Sequence, residues 1–178
     1  VREGSFDRVL LRPLSPMLQI LCLQFDPAGV THISLGVIAL FIANSMLDLS
    51  WSFSFVFYML VSIIGGALIL AAIRIIVAAT AFFTVSNQGL QHLFVFSSRE
   101  FLLYPISIYA RPVQYMLTFF MPIAFVNFYP AHLFLARDSS SLIHPSFVYL
   151  TLPAGIVMMG LAFLFWRAGN RSYSSTGN

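Results

Sequence analysis

Three polar side chains stand inside long apolar stretches of this sequence: Arg74, Asn127 and His132. Hydrocarbon surroundings would make each of them consequential. An arginine at the centre of a bilayer costs at least about 2.5–3.5 kcal/mol on insertion scales, so Arg74 is expected near a membrane interface, with a pathway-lining charge as the sharper alternative. Asn127 and His132 can each hydrogen-bond across helices or face a pathway, and helix-to-helix bonding is the simpler role. His92 has no second histidine or carboxylate three or four positions away, which argues for an interface residue and against a ligand. Cys22 is the single cysteine and has no internal disulfide partner, and no Cys/His spacing suits a metal.

Catalytic and nucleotide motifs are missing. There is no Lys, so a phosphate-binding Gly-rich loop ending in Lys is excluded, and neither HExxH nor GxSxG occurs. Proton-coupled transport usually needs acids buried in spans, yet Asp26 and Glu100 both fall at span edges and no carboxylate pair lies inside a span. The expectation is a non-catalytic chain with no cofactor and no metal, and any energy for transport is expected from a partner.

The densest charge lies at the start. Residues 1–16 hold five of the fifteen charged residues of the 178-residue chain, and almost everything after them is apolar. Phe6, Val9, Leu10 and Pro13 fall close to i, i+3, i+4, i+7 spacing, with Arg2, Glu3, Asp7, Arg8 and Arg12 elsewhere on the wheel, which predicts a short amphipathic helix. Gly4-Ser5 can supply its turn and N-cap, while Pro13 and Pro16 prevent a long continuation. Such a helix can serve as a docking surface or lie on the headgroups. It lacks the apolar core and small-residue cleavage site of a signal peptide, so none is expected there.

A hydrophobic fraction of 59% and 8% charged residues, with a mean hydropathy of +0.88, lie far from the roughly 25% charged residues of soluble domains. A soluble globule of this size has too little interior to hide that much apolar surface. Lipid must solvate most of the chain. The fold class expected is all-α: a polytopic helical membrane protein with about four spans. The uncharged run Pro27–Leu47 predicts a span at 30–48, closed by Asp48 and an interfacial Trp51. A second span is expected at 52–73. It either extends toward 85 as one long tilted helix or breaks near Gly65-Gly66, whose small residues also allow close helix approach. The polar stretch Asn87–Glu100 reads as a loop or interfacial helix, and Leu102–Pro112 as a surface or re-entrant connector. A third span is expected at 114–135, with kinks at Pro122 and Pro130 tolerated in lipid, and a fourth at 147–166.

The nine basic residues are all Arg and cluster at the ends of apolar runs without forming a basic face. Despite an isoelectric point near 9.4, that distribution fits the positive-inside rule and not nucleic-acid binding. Four spans put Arg2, Arg8, Arg12, Arg74, Arg99, Arg111, Arg167 and Arg171 on one side and Arg137 on the other. Both ends are therefore expected in the cytosol, with the chain in a cell (plasma or inner) membrane.

Three motifs resemble one family. Gly4-Ser5-Phe6-Asp7-Arg8-Val9-Leu10-Leu11-Arg12-Pro13-Leu14 resembles the cytosolic connector of ABC-2-type permeases, specifically a bacterial group formerly of unknown function. Tyr104-Pro105, followed by Pro122-Ile123-Ala124-Phe125-Val126-Asn127-Phe128-Tyr129-Pro130-Ala131, is similar to that group's signature around its fifth span. Tyr173-Ser174-Ser175-Thr176-Gly177-Asn178 is similar to its usual C-terminus. The resemblance implies the last four spans of a six-span permease, without the first pair. It further implies a second permease subunit, identical or different, and a separate ATP-binding-cassette ATPase that meets Arg2, Glu3, Phe6, Asp7, Arg8, Leu11 and Arg12. The alternative is a non-transporting membrane protein or assembly component. Nineteen Phe suit amphiphilic cargo and lipid contact equally, so the substrate stays open.

Overall fold

The computed structural model describes residues 11, 13, 15–22, 27–47, 51–84, 88–135 and 145–171, and no strand occurs among them. They fall into two compact units, residues 1–52 with 175–178 and residues 53–174. In the first unit, α1 spans Pro16–Cys22. Pro16 occupies its first helical position, where a missing N–H costs nothing, and the Gln19 amide closes the turn onto the Ser15 carbonyl at 3.0 Å. Helix α2 spans Ala28–Leu47 and buries no residue. Its hydroxyls turn back on its own backbone, Ser34 donating to the Val30 carbonyl at 2.9 Å and Ser45 to that of Ile42 at 2.7 Å. A helix whose polar groups are satisfied internally can be apolar on every side, as lipid requires. Beyond its end, the Trp51 indole N–H donates to the Asn44 side-chain oxygen at 2.5 Å.

The second unit is built on two long helices. α3 runs Phe53–Ala79 and ends in a 3₁₀ turn, Thr80–Phe82. α7 runs Thr151–Arg171, after a 3₁₀ stretch Pro145–Leu150. Pro153 is tolerated because it lies in the first turn of α7, before intrahelical donors are needed. The pair runs parallel: Tyr58 meets Tyr149 with ring centroids 5.2 Å apart, Gly65 lies against Thr151 and Gly155, and Phe82 meets Trp166 at 5.1 Å. The buried face of α3 includes Ser62, Gly65, Gly66, Ile69, Ala72 and Ile73, the three-to-four residue rhythm of a helix seam. α3 is unbroken at Gly65-Gly66.

Parallel α3 and α7 oblige the chain between them to return along the same axis. It begins that return with α4, a helical run made of Gln88–Leu90, a π-helical stretch Gln91–Phe96 and Ser97–Leu103. The π stretch packs on α3. Sixteen residues of α4 rise about 24 Å, the same length as α3 from Phe82 back to Gly66. At its far end, the carbonyl of Leu102 meets Asn127, next to Val126, which rests on Gly66. The segment expected as a loop or interfacial helix is thus a helix laid against α3. Its Ser98 hydroxyl bonds to the Phe94 carbonyl four residues back, so a polar sequence still makes a self-contained helix.

The continuous span expected at 114–135 is not continuous. A 3₁₀ turn Ile106–Ile108 leads into α5, formed by Arg111–Tyr115 and a π-helical stretch Met116–Phe120. Helicity stops at Met121, with φ −118° and ψ 86°. Pro122 is the physical cause, since it lacks an N–H and its ring drives the preceding residue out of helical geometry. A 3₁₀ turn Ile123–Phe125 and α6, Phe128–Leu135, follow. Among the described residues, three helices are long and apolar enough to cross a membrane: α2, α3 with its terminal turn, and α7. The chain is an all-α membrane protein.

The seam between α3 and α7 is a backbone contact. A Cβ on Gly65 would stand 2.8 Å from the Leu152 nitrogen and the Thr151 carbonyl, and one on Gly155 would stand 2.6 Å from the Gly65 oxygen. Backbone cannot yield as a side chain can. Gly65→Ala and Gly155→Ala are each expected to destabilise the unit by about 1–3 kcal/mol, the usual range for overpacking. Gly160→Ala, with nothing within 4 Å of its Cβ, should leave stability unchanged. Thermal unfolding in detergent, compared across the three variants, checks this.

Candidate functional site

The breaks at Tyr104-Pro105 and Met121-Pro122 leave a cavity of about 360 Å³ where the end of α4, the connector after it, the Ile123–Phe125 turn and α6 meet. Each polar group there has a local reason for its place. Leu102 is in the last turn of α4, where carbonyls lack intrahelical partners, and the Asn127 side-chain N–H₂ donates to its oxygen at 3.0 Å. Asn127, Phe128, Ala131 and His132 share one face of the α6 turn by i, i+4 spacing, and all four line the cavity. The His132 ring stands edge-to-face on Phe128, with centroids 4.3 Å apart. Its Nδ1 is buried without a hydrogen-bond partner. A buried polar atom left unpaired costs about 1–3 kcal/mol.

Behind the cavity, a second set of bonds fixes its walls. Tyr129 is buried, and its hydroxyl lies 3.1 Å from the Thr118 hydroxyl, which in turn donates to the Gln114 carbonyl at 2.8 Å. This chain ties α6 to α5 across the Pro122 break. The Thr151 hydroxyl donates to the Phe125 carbonyl at 3.3 Å, tying the start of α7 to the same irregular stretch. Phe125 stacks near Tyr129, 4.9 Å between centroids, and near Phe147 at 6.2 Å. Thr118, Tyr129 and Thr151 were not foreseen from the sequence. Their only local signal is a hydroxyl in an apolar run.

Of the residues singled out from the sequence, Asn127 and His132 come together in this cavity. Arg74 does not join them: it is an exposed residue of α3, 21 residues past Phe53 and so about 32 Å along the helix axis. Leu11 is described and is 84% exposed. Arg2, Glu3, Phe6, Asp7, Arg8 and Arg12, with the helix expected over 1–16, lie outside the described residues. Among the described residues, no group of three His, Cys, Asp or Glu side chains could hold a metal ion.

A mainly apolar cavity with the polar side chains of Tyr104, Ser107, Asn127 and His132 on its wall, set in a helical membrane chain, is suited to binding or passage. Residues 1–177 match the family described as ABC-2 family transporter protein. The chain belongs to that family. No curated protein and no solved structure matches it. As an ABC-2 chain it is a membrane transport component, and the cavity lies within the stretch that carries the family-like Tyr104-Pro105 and Pro122–Ala131 motifs.

Two substitutions separate His132 in the cavity from Tyr129 behind it by their energetics. His132→Leu removes an unpaired buried nitrogen and is expected to leave the ABC-2 chain equally stable or to stabilise it, by up to about 1–3 kcal/mol. Tyr129→Phe removes a partnered hydroxyl and should cost about 1 kcal/mol. Unfolding transitions of the two variants in detergent, without added ligand, check the opposite signs.

Proposed function

We propose that this chain is the permease subunit of an ATP-binding-cassette exporter in the cell's plasma or inner membrane. It forms part of the translocation pathway together with a second permease subunit, identical or different. ATP hydrolysis belongs to a separate ATPase subunit. The observation that carries the proposal is the family match over residues 1–177. The sequence adds to it: a chain without Lys has no Gly-rich nucleotide loop of its own, so a transport cycle must take its energy from another protein.

The mechanical requirements are simple. A permease must carry force from a cytosolic contact to helices in lipid. The α3–α7 pair, joined backbone to backbone, is suited to move as one body. The contact itself is proposed to be residues 1–16. In a helix there, Arg8 and Arg12 are four residues apart on one face, which fits an acidic groove on the ATPase, with Phe6 and Leu11 as apolar contacts. Arginine distribution favours both ends in the cytosol. Arg74 then lies near the cytosolic boundary: its distance from Phe53 matches a hydrocarbon thickness of about 30 Å, and its charge avoids the centre.

Affinity purification of the tagged protein in mild detergent is expected to recover an ATP-binding-cassette ATPase. Arg8→Glu combined with Arg12→Glu should lower that recovery at least about tenfold, as reversed charges at a docking contact weaken complexes, while the amount of membrane-inserted protein stays the same. Recovery unchanged by the reversal would remove the docking role from residues 1–16, and absence of any ATPase would favour a non-transporting membrane protein. Orientation has its own reporter. Cys22 is exposed and is the single thiol, so a membrane-impermeant maleimide should label inside-out vesicles and spare right-side-out ones.

A further inference from the structure

The cavity at the end of α4 holds hydrogen-bonding capacity that the fold leaves unused. Its volume of about 360 Å³ lies at the lower end of small-molecule sites, roughly 300–1,000 Å³. Its wall is mainly aromatic and aliphatic, and no Asp, Glu, Lys or Arg lines it among the described residues. Four polar side chains line it, Tyr104 and Ser107 on the connector and Asn127 and His132 at α6. Asn127 gives its amide nitrogen to the Leu102 carbonyl, which leaves its side-chain oxygen as an acceptor. His132 makes no hydrogen bond at its buried Nδ1. An orphaned N–H is rarer and costlier than an under-used acceptor, so a neutral imidazole keeps its proton on Nε2 and offers a donor from that atom.

These facts define a ligand by size, charge and polarity. A whole phospholipid is too large for the space. A charged molecule would find no counter-charge. A bare hydrocarbon chain would leave both the Asn127 oxygen and the His132 N–H unanswered. A hydroxyl answers both, since it donates to one and accepts from the other. We propose that this cavity is a binding site for a small neutral amphiphile bearing a hydroxyl group on an apolar ring or short chain, with His132 and Asn127 as its polar contacts. The site lies within a single unit and does not depend on the exporter reading, which assigns neither a ligand nor a role to the cavity.

Photolabelling of the full-length protein in phosphatidylcholine nanodiscs tests the site, with a diazirine-bearing octanol as probe and adducts mapped by mass spectrometry. Adducts are expected on Phe101–Ser107 and Asn127–His132. Octan-1-ol should protect these peptides, and octane at the same membrane concentration should not. A site built to hydrogen-bond a hydroxyl discriminates against the analogue without it. His132→Leu should reduce labelling at least about fivefold, and His132→Gln, which returns an amide near the Nε2 position, should restore most of it. Adducts spread over exposed aromatics such as Phe41 and Phe163, equal protection by octane, or labelling indifferent to His132→Leu would each overturn the proposal. The octanol–octane comparison on the unaltered protein decides alone if a variant does not fold. No ATPase takes part in the readout, so a negative result here leaves the exporter reading untouched, and loss of ATPase recovery leaves this site untouched.

Discussion

Helices dissolved in hydrocarbon gain little by covering apolar side chains, because lipid tails are as apolar as leucine. Their association rests on close contact and on hydrogen bonds that would otherwise go unmade. In this chain Gly65 lies against Gly155 and Thr151, backbone to backbone. The rest of the second unit follows from this contact. Two helices held this tightly and running parallel leave one possibility for the chain between them, a return along the same axis. That return is where the irregular structure collects, and the irregular structure is what opens a cavity.

Irregular backbone at membrane depth is tolerated when other parts of the protein supply its missing partners. Here side chains do so: Asn127 answers a carbonyl at the end of α4, Thr151 answers Phe125, and Thr118 joins Tyr129 to the backbone of α5. The two Pro-containing breaks are therefore anchored. The same bonds hold α6 so that Asn127 and His132 face one space, which neither a straight helix over 114–135 nor a free loop would achieve.

Long apolar runs made α2, α3 and α7 legible in the sequence, because nothing competes with a helix when twenty or so uncharged residues must satisfy their backbone in lipid. The Gly65-Gly66 pair was legible as a place of close approach, but its partner was not, since Gly155 carries no mark that names Gly65. The packing of α4 on α3 was not legible, for the opposite reason. Its Gln, His, Ser, Arg and Glu residues read as solvent-facing, and composition cannot register that the helix is laid along α3. Pro122 announced a kink, while the full stop at Met121 depends on tertiary bonds that no local pattern contains. Asn127 and His132 stood out as polar residues in an apolar run; that they meet in one cavity comes from the Met121 stop and the bonds that anchor α6.

Gly65 and Gly155 are about ninety residues apart in the chain, and this separation matters during synthesis. At 5–20 residues per second, translation of that interval takes about 5–18 s. Throughout it α3 waits with its glycine edge open, and the polar breaks of the returning segment have no α7 to close over them. Thr151, whose hydroxyl answers Phe125, arrives only with α7. The second unit therefore completes itself only once α7 is made, and α7 is the helix that locks the others.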